Sequence, residues 1–104
     1  MQSWSLADNG GAHRLRAGEV ASLRLPENAS TGYRWAPAGF DGNILAVRDG
    51  GGDYSNAIGG GGAAVFEVEG MAAGSTRLRF VEKRSWESDD SAIRRFAVEV
   101  EVGG

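Results

Sequence analysis

The stretch Phe96-Ala97-Val98-Glu99-Val100-Glu101-Val102 alternates apolar and polar side chains. A period of two puts Phe96, Val98, Val100 and Val102 on one face of a β-strand and Ala97, Glu99 and Glu101 on the other, one face for a core and one for water. Thr76-Arg77-Leu78-Arg79-Phe80 repeats the pattern, with Leu78 and Phe80 inward. In Ala64-Val65-Phe66-Glu67-Val68-Glu69 the inward set is Ala64, Phe66 and Val68. Ala21-Ser22-Leu23-Arg24-Leu25 alternates as well, and Trp4-Ser5-Leu6, Tyr33-Arg34-Trp35 and Ile44-Leu45-Ala46-Val47 are shorter strand candidates. No window sustains a 3.6-residue period, so little or no helix is expected.

Six or seven short strands separated by Gly-, Asn- and Asp-rich turns predict an all-β fold, an immunoglobulin-like antiparallel β-sandwich of about seven strands. The 104 residues suit one domain over 1–104. Leu, Ile, Val and Phe make up about a fifth of the chain, a thin core, but three tryptophans add apolar bulk and the net charge is only −3. There is no cysteine, which excludes disulfides, thiolate metal sites and a cysteine nucleophile. A pI near 5.1 argues against nucleic acid as a partner. No apolar run approaches the ~20 residues that span a bilayer, and Met1-Gln2-Ser3-Trp4 has no basic flank or apolar stretch, so no signal peptide is expected. Nothing in the pattern calls for more than a monomer.

Three connections stand out, over 26–32, 49–62 and 84–93. Two strands separate the first from the second and two more separate the second from the third. In an antiparallel sandwich successive strands reverse, so the three connections are expected at one end, as antigen-binding loops are.

The residues in these connections carry a resemblance. Asn28-Ala29-Ser30-Thr31-Gly32-Tyr33, followed by Trp35, resembles the first inhibitory loop of the chagasin family of cysteine protease inhibitors, where Asn-Pro-Thr-Thr-Gly and an aromatic are usual. Gly59-Gly60-Gly61-Gly62, leading into the strand with Phe66, resembles its glycine-rich second loop. Arg84-Ser85-Trp86-Glu87 resembles the third, whose usual form is Arg-Pro-Trp. Order and spacing agree from about Gly18 to Val102. Ala29 and Ser85 stand where the family usually has proline; because proline fixes φ, its absence leaves a loop less preorganised, at a cost of about 1 kcal/mol per site.

The resemblance implies a reversible, noncovalent inhibitor of papain-like cysteine proteases with no catalytic residue and no cofactor. Asn28, Ala29, Ser30, Thr31 and Gly32 would enter the catalytic centre, with Thr31 deepest. Gly59, Gly60, Gly61 and Gly62 would offer bare backbone to an extended protease segment, with Ile58 supplying apolar contact beside it. Arg84 and Trp86 would grip the cleft wall, Trp86 as an exposed aromatic anchor in polar company. The plainer readings are an ordinary turn at 28–32, a flexible connection at 59–62 and a Trp86 folded onto the core. The alternative function is an immunoglobulin-like binding or adhesion module for carbohydrate or protein, with Trp86 and Tyr54 as stacking platforms.

Other chemistries lack their residues. The glycine run has no Lys-Ser/Thr after it, as a phosphate loop requires. The single histidine, His13, is expected in a turn and has no Gly-x-Ser-x-Gly elbow beside it. Asp89-Asp90 lacks the spacing of a calcium loop and reads as a solvated turn. Asn28-Ala29-Ser30 fits a glycosylation sequon, but a glycan there would block the loop to which the resemblance assigns inhibition, so the match reads as accidental.

Overall fold

A computed structural model of the protein describes residues 1–28, 31–53 and 62–103. Among the described residues eight strands form two four-stranded sheets. In chain order they are β1 (Gln2–Ser5), β2 (Ala12–Arg16), β3 (Val20–Pro26), β4 (Tyr33–Gly39), β5 (Leu45–Asp53), β6 (Ala63–Gly70), β7 (Gly74–Arg84) and β8 (Arg94–Gly103). One sheet runs β1-β3-β6-β5, the other β2-β8-β7-β4. The described residues contain short 3-10 turns and no α-helix.

The alternation of β8 is realised: Phe96, Val98, Val100 and Val102 are all buried. Phe96 lies opposite Phe80 and Val98 opposite Leu78 on β7. In the other sheet Leu23 faces Phe66 and Ala21 faces Val68. The Phe66 and Phe80 rings meet across the sandwich with centroids 4.6 Å apart, so the two sheets share one core. Burying each such side chain contributes about 1.5–3 kcal/mol, and that burial sets the register. On the solvent faces Arg77 pairs with Glu99 and Arg14 with Glu101, exposed pairs worth less than about 1 kcal/mol each.

Three features differ from the expectation. The described residues form eight strands, and β1 pairs parallel to β3 as β2 does to β8, while the remaining pairs are antiparallel. The N-terminal segment lines the edge of one sheet and then crosses to the other through the turn Leu6–Asp8. His13 therefore lies in a strand, not a turn, with its ring stacked on Trp4 at 4.5 Å. Finally, Gly50, Gly51 and Gly52 belong to β5, and the second connection is shorter than 49–62, beginning after Asp53. The register shifts between Asp49 and Gly52 as in a β-bulge; Gly51 takes φ +84° and its N–H is bound by the Asp49 carboxylate at 2.8 Å. Glycine is rare in strands but suited to a bulge, so composition alone read a loop there.

Candidate functional site

The connections β3–β4, β5–β6 and β7–β8 leave the sandwich at one end. Pro26 closes β3 opposite Ala63, and Asp53 closes β5 opposite the same residue. In the other sheet Tyr33 opens β4 opposite Arg84, the last residue of β7. The three connections therefore share one end, as the alternation of strand direction requires.

Beneath the connections the apolar core gives way to a polar layer. Glu27 and Glu82 are each only 3% exposed. The Glu82 carboxylate accepts from Arg94 Nε at 2.6 Å and Nη2 at 3.2 Å. This bond is the main reason the Arg94 guanidinium is held above its ordinary pKa, against the desolvation that would lower it. Arg94 Nη2 also donates to the Pro26 carbonyl at 3.0 Å, and its guanidinium carbon lies 5.4 Å from the centroid of the Trp35 ring. Trp35 Nε1 donates to that same Pro26 carbonyl at 2.8 Å, and the Trp35 backbone N–H donates to Glu27 Oε2 at 2.7 Å. Glu27 Oε1 lies 3.2 Å from Arg34 Nε, and the Glu27 N–H donates to the Gly62 carbonyl at 3.1 Å. One layer thus joins both ends of the first connection (Glu27, Trp35), the end of the second (Gly62) and both flanks of the third (Glu82, Arg94). Buried carboxylates are stable only when so paired, and removing one partner of such a pair typically costs about 3–5 kcal/mol.

In the first connection Thr31 Oγ1 donates to the Asn28 carbonyl at 2.9 Å and accepts the Tyr33 N–H at 3.3 Å; the Thr31 N–H also reaches Asn28 O at 3.2 Å. The hydroxyl thus ties the loop to itself. Gly32, exposed like Thr31, has φ +79°, a left-handed conformation that only glycine adopts without strain. Ala29 and Ser30 lie outside the described residues, as do Ile58, Gly59, Gly60, Gly61 and Tyr54 in the second connection. Gly62 enters β6 beside Ala63 with its carbonyl engaged by Glu27.

The third connection is ordered by its own bonds. Arg84 to Glu87 forms a turn: the Glu87 N–H donates to Arg84 O at 3.0 Å and the Arg84 N–H to Glu87 Oε1 at 3.2 Å. Lys83 Nζ donates to Glu87 O at 2.6 Å and pairs with Asp89 at 3.2 Å. Asp89 and Asp90, read as a solvated turn, start a 3-10 turn over Asp89–Ser91. The Ile93 N–H returns to Glu82 O at 2.8 Å. At the tip, Ser85 is exposed and Trp86 is 77% exposed, so Trp86 does not fold onto the core. Arg84 is half-buried and stacks over the Tyr33 ring at 4.4 Å, bridging the third connection to the first. Trp35, by contrast, is a core residue.

The structure therefore brings together Asn28, Thr31, Gly32, Gly62, Arg84 and Trp86. The residues that sequence reading passed over are Glu27, Glu82 and Arg94. A signal for two of them existed: Glu82 continues the inward series Leu78, Phe80, and Arg94 precedes Phe96 by two on the inward face of the neighbouring strand. Opposite charges at adjacent inward positions announce a buried pair. Among the described residues no group of three or more His, Cys, Asp or Glu side chains is placed to hold a metal ion.

Three solved structures share the architecture. The crystal structure of the cysteine protease inhibitor EhICP2 from Entamoeba histolytica superposes with a TM-score of 0.82 at 14% identity, covering 98% of this chain and 94% of that one. The solution structure of amebosin gives 0.73 at 24% identity, with 98% and 97% covered. PbICP-C, solved in complex with falcipain-2, gives 0.73 at 18% identity, with 99% and 100% covered. At these identities the likeness establishes the fold. No curated protein matches the chain by sequence. A sequence model of the family described as "Chagasin family peptidase inhibitor I42" matches residues 14–100, most of the chain. The chain thus belongs to the chagasin family, whose members are peptidase inhibitors and not enzymes.

Proposed function

We propose that the protein is a reversible, noncovalent inhibitor of papain-like cysteine proteases, acting as a monomer of one domain that occludes the active-site cleft with its three clustered connections. The observation that carries this reading is the third connection. In a chain of this family, an exposed Trp86 stands on a turn fixed by Arg84, Glu87 and Lys83, at the same end as Thr31 and Gly32. An exposed aromatic on a rigid base loses little entropy on binding, the property of an interface anchor. Family membership supplies the class of target, and the complex of PbICP-C with falcipain-2 is an instance of the same fold on a protease.

In this reading Asn28, Ala29, Ser30, Thr31 and Gly32 fill the catalytic centre. Thr31 acts there by bulk and by holding the loop's shape, because its hydroxyl is engaged by Asn28 and Tyr33. Ile58, Gly59, Gly60, Gly61 and Gly62 line one wall of the cleft, and Arg84 with Trp86 the other. Such interfaces bury about 1,600 Å². The test is protection of the protease's catalytic cysteine. Premixing papain with the protein is expected to slow alkylation of that thiol by iodoacetamide in proportion to inhibitor added, with the protein recovered uncut. Alkylation at the unprotected rate, with folded protein in excess, would overturn the reading.

A further inference from the structure

The polar layer is an unusual choice for the end of a sandwich whose core is otherwise apolar. Glu82 and Arg94 occupy inward positions directly below Arg84 and above Phe80 and Phe96, where leucine or methionine would extend the core. Replacing a buried ion pair by apolar residues of similar volume is often neutral or stabilising, so stability alone does not explain the pair. Its geometry offers a different explanation. Arg94, at the exit of the third connection, spends its bidentate face on Glu82 and reaches with Nη2 to the Pro26 carbonyl, at the entry of the first connection and in the opposite sheet. Trp35 donates to that same carbonyl from the far end of the first connection. Directional bonds to one carbonyl from two elements fix position in a way that apolar contact does not.

We propose that Arg94, oriented by Glu82, is a positioning residue: it locks the first connection to the third across the two sheets, so that both are presented in a fixed relative placement before any protease is met. The proposal rests on the inhibitory reading for its consequence in binding, but the lock itself is a property of the free protein. Without it Pro26 keeps the Trp35 bond, the first connection stays attached to β4, and its placement relative to the third loosens.

The test uses the paired replacement Glu82→Leu with Arg94→Met, which removes both charges together and preserves volume. A second pair, Glu82→Gln with Arg94→Gln, keeps a polar contact between the two side chains but is too short to reach Pro26. Three quantities are read: thermal unfolding, amide exchange at Thr31 and Tyr33 in the free protein, and inhibition of papain. The expected result is an unfolding temperature close to the parent's, exchange at Thr31 and Tyr33 faster by about tenfold, and inhibition weaker by about tenfold, as for loss of preorganisation. Unchanged exchange at Thr31 and Tyr33 in both folded pairs would overturn the proposal. If the parent itself fails to inhibit papain, the inhibitory reading falls, while the exchange measurement still decides the lock.

Discussion

Replacing Trp86 with alanine isolates one contact from the fold that presents it. Tryptophan presents up to ~250 Å², and with Trp86 77% exposed roughly 190 Å² of it is open to a partner. If a protease covers two thirds of this, about 125 Å², burial at roughly 25 cal/mol per Å² stabilises the complex by about 3 kcal/mol. That corresponds to about 150-fold in Kd. Alanine keeps a small part of the contact, so a loss of about 30- to 150-fold is expected, within the range of interface hot spots. The free protein is expected to be nearly indifferent. The turn is held by Arg84, Glu87 and Lys83, and an exposed side chain of this kind changes stability by less than about 0.5 kcal/mol. The assay is a titration of papain with parent and variant, following a fluorogenic peptide, beside thermal unfolding of each. Inhibition within threefold of the parent at unchanged stability would exclude Trp86 as an anchor, because this exposed aromatic surface would then not be in the interface.

Three further outcomes follow from the same geometry. Gly32→Ala places a Cβ in open space but forces φ +79° on an L-residue, a strain of about 1–2 kcal/mol that is expected to lower the melting temperature by roughly 5–10 °C and to weaken inhibition. Ser85→Pro sits at the second position of the Arg84–Glu87 turn, whose closing bonds use the N–H groups of Arg84 and Glu87. Proline favours that position after an extended residue, so a gain of about 0.4–1 kcal/mol in stability is expected by thermal unfolding, with tighter inhibition. Thr31→Val removes the hydroxyl that bridges Asn28 O and Tyr33 N and is expected to cost about 0.5–1.5 kcal/mol of loop order, seen as faster exchange at Tyr33 and weaker inhibition, whereas Thr31→Ser retains both bonds.

The fold was legible because its core strands are half-buried. Phe96 to Val102 and Thr76 to Phe80 alternate without interruption, and a one-residue slip would expose every apolar side chain, so pattern dictates register. The end-clustering of the connections followed from counting strands, and it survived the added strand β2 because β1 and β2 both precede the first connection and leave the later parity untouched. What pattern could not supply was the parallel pairing of β1 and β2, set by a crossover through Leu6–Asp8 and not by any periodicity. It also could not place Gly50 to Gly52 in β5, because a bulge needs the residue that strands otherwise avoid. At the candidate site, Trp86 was legible from its polar neighbours. Glu27 was not: its carboxylate matters through the backbone of Trp35, eight residues away and in the other sheet, a contact that no local spacing encodes.

Inhibition of a papain-like protease is decided by titrating papain and a cathepsin L-type enzyme with the protein. Nanomolar inhibition that reverses on dilution, with the protein recovered intact, is the expected result. Full protease activity in the presence of about 10 μM folded protein, far above the dissociation constant expected of a standard-size inhibitor interface, would contradict it.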